Sequence, residues 1–188
     1  MHSRPAITGS LVALAVGAWL GAQGLGPLGS AVAQQPAPPH LIPQSLQIEH
    51  EDTLERLTIL THRPGAVGAE ARKALVLFKA HIARESEFIL PPLTLLPELA
   101  DGKVTPDMKW ALAMSDRVKT EREQIFQQHT QITDAMNALA VAARAAHDKV
   151  AQEFAEAAVG DSLNDAELLE PMVLLIGDYL RAKLPPGQ

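Results

Sequence analysis

The sequence predicts an all-α protein, an up-down-up-down four-helix bundle closed by a short C-terminal fifth helix. Three observations carry this. Alanine, leucine and glutamate are abundant and β-branched runs are few, a composition that favours helix over strand. Apolar residues recur at three- and four-residue spacing along four long segments, the period of an amphipathic helix. The second half of the chain also repeats the pattern of the first, as two similar helical hairpins packed together would. At 188 residues, 47% of them hydrophobic and only 4% aromatic, the chain suits one compact domain.

Residues 1–33 carry a single charge, Arg4, followed by an apolar run from Leu11 to Leu20 and the small-residue signature Ala31-Val32-Ala33. A positive start, a short apolar core and an A-x-A site describe a secretory signal peptide, cut after about Ala33. The run falls short of the roughly 20 apolar residues of a membrane span. A periplasmic or secreted mature protein is therefore expected, with an uncleaved anchor as the alternative. Residues 34–43 form a proline-rich, extended lead.

The bundle is expected over 44–184. Helix one runs from about Gln44 to Thr61, with His50, Leu54, Leu57 and Thr61 on its inward face, and Arg63-Pro64-Gly65 ends it. Helix two runs from near Ala66 to Leu90, stopped by Pro91-Pro92. Its inner stripe is Ala74, Leu77, Phe78, His81, Glu85 and Phe88. Leu93 to Val104 is an apolar connection with a break at Pro97 and a turn at Asp101-Gly102.

Thr105-Pro106-Asp107 reads as a helix start, with a hydroxyl cap, proline in the first turn and an acid near the positive dipole end. The helical pattern then holds to about Arg144, with Ile125, His129, Ile132, Met136 and Leu139 inward. That length predicts a kink or a projecting first half. Helix four starts near Ala146 and carries Val150, Phe154, Ala157, Asp161, Asp165 and Leu168. Pro171 kinks or ends it, and Met172 to Lys183 forms the closing helix.

Several functions are excluded. The net charge is −6 and no basic patch with interleaved aromatics occurs, so nucleic acid is not an expected partner. The chain has no cysteine, which removes thiolate ligands, disulfides and a cysteine nucleophile. No phosphate-cradling glycine loop or dinucleotide fingerprint is present.

The chemistry gathers at His81 and Glu85. A histidine and a carboxylate four residues apart share one helix face, roughly 6 Å apart along the axis, and two such helices can hold a metal between them. The stretch has an echo. After His81, acids stand at +4 and +6 (Glu85, Glu87), apolar residues at +7 and +8, and proline at +10 (Pro91). After Asp161, acids stand at +4 and +6 (Asp165, Glu167), apolar residues at +7 and +8, and proline at +10 (Pro171). His50 precedes His81 by 31 residues, and His129 precedes Asp161 by 32.

On these residues the chain resembles the hemerythrin-like family, which carries the HHE cation-binding domain, over roughly Leu41 to Leu184. The closing segments Glu167-Leu168-Leu169-Glu170-Pro171 and Ile176-Gly177-Asp178-Tyr179-Leu180 fit the same register. The resemblance implies that His50, His81, Glu85 and His129 bind metal, with Asp161 and Asp165 at the second H-x-x-x-E. It implies a di-iron centre, with mononuclear iron, manganese or zinc as alternatives. A small diatomic ligand would be the partner, and the role would be the handling of oxygen, nitric oxide, peroxide or iron without turnover.

One departure marks this chain. Helix four offers D-x-x-x-D where the family has H-x-x-x-E. Gly160-Asp161-Ser162-Leu163-Asn164-Asp165 is also poor helix material, so the segment could instead be a loop. Three readings follow: a di-metal centre richer in carboxylate, a mononuclear or weak site on His50, His81, Glu85 and His129, or a metal-free bundle with a structural or protein-interaction role.

Overall fold

A computed structural model of the chain describes residues 40–185. The expected signal peptide and most of the proline-rich lead lie outside the described residues. Within them the chain is all-helical and contains no strand. The helices are α1 (Gln44–Leu60), α2 (Gly65–Arg84), α3 (Leu96–Ala100), α4 (Trp110–Ala145), α5 (Lys149–Asn164) and α6 (Glu170–Lys183). The long α4 is the spine, against which α2, α5 and α6 pack, while α1 lies on α2. No helix among the described residues is long and apolar enough to cross a membrane.

Two π-turns organise the fold. Glu85–Ile89 continues α2, and Asp165–Leu169 joins α5 to α6. Each opens at the carboxylate four residues after His81 or Asp161, and each ends two residues before a proline. In the first, Leu90 N–H donates to the Glu85 carbonyl at 2.9 Å. In the second, Glu170 N–H donates to the Asp165 carbonyl. Proline in a regular helix lacks a donor and its ring meets the carbonyl four residues back. A wider turn before Pro91 and Pro171 relieves both, and such π-bulges often mark functional sites. The Gly160–Asp165 segment is therefore helix running into a π-turn, not a loop.

Several expectations are revised. Pro97 does not break the connection; it sits in the first turn of the short α3. The first half of α4 does not project. Its Ala111, Ser115 and Val118 are buried, because α6 covers them and approaches closely at Gly177, where a Cβ would collide with Ser115. Thr105 makes no side-chain cap, and a 3₁₀ turn over Pro106–Lys109 leads into α4. Helix four begins at Lys149, not Ala146, because His147 adopts a left-handed φ of 56°. Asp148 then caps α5 by accepting from the Ala151 N–H at 3.1 Å.

The buried stripe of α5 also differs from the expected one. Val150, Ala157, Asp161 and Leu168 are exposed, whereas Ala151, Ala155, Ala158 and Ser162 are buried. Alanines lack the bulk that holds helices apart, so α5 seats its smallest residues on α4 and leaves Val150 at the edge. The helix is thus turned by about one residue relative to the pattern of its larger apolar side chains.

The core falls into two apolar clusters. One gathers Leu57, Ala74, Ile132, Met136 and Ala158 with their neighbours. The other gathers Phe88, Leu93, Ile125, Val173 and Leu180 with theirs. On α4 the change of cluster falls between Ile125 and Ile132, at His129. On α2 it falls between Ala74 and Phe88, at His81 and Glu85. On the α5–α6 run it falls between Ala158 and Val173, at Ser162 and Glu170. A polar layer therefore separates the two halves of the core.

Candidate metal centre

The layer holds His50, His81, Glu85, His129, Ser162 and Glu170, all buried, with Asp165 half-buried beside them. Glu85 is its hub. Its Oε1 lies 3.1 Å from His81 Nε2 and 3.9 Å from His129 Nε2, and its Oε2 lies 3.5 Å from His50 Nε2. His129 Nε2 also lies 3.2 Å from Glu170 Oε1, while His129 Nδ1 meets Ser162 Oγ at 3.2 Å. The His81 and His129 rings meet edge-on, with centroids 4.5 Å apart.

These distances do not amount to a hydrogen-bonded network. Both Glu85 oxygens, Glu170 Oε1, His129 Nε2, His50 Nδ1 and His81 Nδ1 are buried without a hydrogen-bond partner. Buried polar groups are nearly always paired, because each orphan forfeits its bond to water. Glu85 Oε1 and His129 Nε2 are close to other donors and acceptors but not aligned with them, so they share a space without bonding across it. Two donors bound to one ion at about 2.1 Å would stand about 3 Å apart, with no need to aim at each other.

The electrostatics agree. Burial pushes the Glu85 carboxyl up, but the surrounding histidines, His81 foremost, hold it below the usual carboxylate range. Burial, reinforced by His81, pushes His50 down against the pull of Glu85, which keeps it neutral and able to donate a lone pair. Burial alone would lower His129 too, but Glu170 and then Glu85 hold it above its ordinary value. Burial, followed by the Glu85 and Glu49 charges, pushes Asp165 up to about 7. Three imidazoles and three carboxylates form an excess of negative charge that a bound cation would neutralise.

Two sets of three residues bring potential ligand atoms within 4.8 Å of one another: His81, Glu85 and His129, and His50, Glu85 and Asp165. Both use Glu85, so one carboxylate stands between two candidate ion positions. These buried groups could hold a metal ion, with nitrogen and oxygen donors only. Of the six residues expected from sequence, the structure brings together His50, His81, Glu85, His129 and Asp165. Asp161 belongs to neither set and is exposed; the turn of α5 directs Ser162 into the layer in its stead.

Glu170 is the residue that sequence reasoning missed. Its counterpart eighty positions earlier is Leu90, fully buried just before Pro91. A glutamate replacing leucine at a repeat position otherwise buried was the available signal. Comparison with known protein families, with curated proteins and with solved structures found no match.

Proposed function

We propose that the chain is a hemerythrin-like, four-helix-bundle binder of non-haem metal, with a pair of iron ions as its cargo. The carrying observation is the cluster of orphaned donors around Glu85. In this reading His81, Glu85 and His129 would hold one ion, and His50, Glu85 and Asp165 would hold the other. Glu170 completes the His129 side. When bound, iron supplies reversible redox chemistry toward oxygen, nitric oxide or peroxide. The chain's own residues fix the donors and exclude water: Phe88, Ile89, Leu90 and Ile125 close the layer on one side, and Leu57, Ala74 and Met136 on the other. The reading assigns no turnover. The N-terminal pattern of one arginine, an apolar run and Ala31-Val32-Ala33 supports an exported setting.

The test is metal content per chain, measured on protein expressed with iron and purified without chelators, together with its near-ultraviolet absorption. Two irons per chain, lost in His81→Ala, is the expected result. One ion leaves a single set of three ligands in use. No metal in a cooperatively melting helical protein would leave a metal-free bundle with a structural or protein-interaction role.

A further inference from the structure

A narrow crevice between α1, α2 and α5 reaches the polar layer from outside, at the histidine side of the layer; separate surface pockets touch His50 from the α1–α2 face and Glu170 from the α4 face. His50, His81, Ser162 and Asp165 line the inner end of the crevice, where the free volume is about 10 Å³, room for about one water. Glu49 and Asp161 line this inner section and also the open outer mouth of about 200 Å³, where Asp52 and Arg56 join them. The two acids belong to different helices and flank the same opening.

Neither Glu49, Asp52 nor Asp161 forms an ion pair or hydrogen bond among the described residues, and Arg56 on the outer rim pairs with none of them. Several other acids are matched, Glu87 with Arg117, Glu121 with Arg84 and Arg117, Asp116 with Arg181, and Asp148 with Arg63, while single acids such as Glu55 and Asp134 are not, among the described residues. What sets the crevice apart is that three unpaired acids, Glu49, Asp52 and Asp161, gather at one opening. Directly behind the acids stand His50 and His81, 5% and 2% exposed, each with an unpartnered Nδ1. The path therefore runs from unneutralised carboxylates to orphaned buried donors.

We propose that Glu49 and Asp161 are the entry gate of the metal centre. They draw a divalent cation into the crevice and pass it to His50, His81 and Asp165 without remaining bound to it. The inference rests on the metal-binding reading and gives Asp161 the role of a positioning residue in place of a ligand. Clefts lined by one sign of charge raise the local concentration of the opposite ion and its association rate by ~10–10³.

The test is stopped-flow loading of metal-free protein with Co²⁺, followed by its visible absorption, together with the final stoichiometry. In Glu49→Gln/Asp161→Asn the association rate is expected to fall about tenfold and to lose most of its salt dependence, while stoichiometry stays that of the wild type. A matched control, Glu55→Gln/Glu153→Gln, removes the same charge from the same helices away from the crevice and should load at the wild-type rate. An unchanged rate in the crevice variant, beside a wild type that binds, overturns the gate and leaves the metal centre standing. Lost stoichiometry overturns it by making one of the acids a ligand. A wild type that takes up no Co²⁺ overturns the metal-binding reading, and the gate with it.

Discussion

Glu170 Oε1 lies 3.2 Å from His129 Nε2, and neither atom makes a hydrogen bond. An acid and an imidazole this close and this buried would ordinarily turn to face each other. Both are instead held by the backbone: Glu170 by the π-turn that ends at its own N–H, and His129 by its place between the two cores of α4. The pair is poised toward a shared third partner.

Glu170→Leu restores the residue found at the matching position of the first half, Leu90. In metal-free protein it removes a buried carboxylate whose Oε1 makes no hydrogen bond; the burial cost outweighs the lost attraction to His129, so unfolding is expected to become harder by about 1–3 kcal/mol. Metal retention is expected to fall at the same time. Urea melts of metal-free protein and metal content after dialysis measure the two effects. A variant less stable than the wild type without metal would show that the attraction between Glu170 and His129 outweighs the cost of burying the carboxylate.

Ser162→Ala leaves the backbone intact but removes the Oγ that meets His129 Nδ1. Groups that orient a ligating imidazole typically contribute 10–100-fold in metal affinity. A weakening in that range, with melting changed by no more than ~1 kcal/mol, is expected in competition titrations against a chelator. Wild-type affinity would mean that helix packing alone orients the ring.

Asp165 gives the metal-free protein a pH dependence with a definite sign. Its folded-state value, about 7, lies above the ordinary 3.8, so the folded chain holds a proton that the unfolded chain releases. The stability this confers is complete below about pH 4 and is lost as pH rises through 7. The interval, at ~1.4 kcal/mol per pH unit, sets a ceiling of about 4 kcal/mol. Asp165→Asn is therefore expected to be more stable than the metal-free wild type at pH 8, with the difference closing toward pH 4. A difference independent of pH would assign the effect to packing.

His147 occupies the left-handed position after α4, where the Asp148 N–H donates back to the Ala143 carbonyl at 2.9 Å. That is the site where helices usually place glycine. With a side chain here costing roughly 1 kcal/mol, His147→Gly is expected to raise the melting temperature by a few degrees. No change in metal content should accompany it, since His147 is exposed and outside the polar layer.

How much of this was readable in advance differs from helix to helix. On α1, α2 and the second half of α4, large apolar residues mark the inward face: Leu57, Phe88, Ile132 and Leu139. His50, His81, Glu85 and His129 lie in phase with them, so their meeting could be read from spacing. On α5 the large apolar residues mislead. Val150 and Leu168 are exposed, and the buried residues are alanines and a serine. A pattern search weights bulk, whereas close helix contact here selects smallness.

The sequence by itself determined the helical class, the order of the long helices, the prolines that shape both π-turns, and the four residues whose phase follows bulky neighbours. Tertiary structure alone decided the rotation of α5, which faces Asp161 outward and Ser162 toward His129. It also decided that Glu170 turns inward, because a π-turn adds one residue to the helical repeat and shifts every side chain beyond it. Local spacing describes a regular helix, and both decisions were made where the helix stops being regular or packs by its smallest side chains.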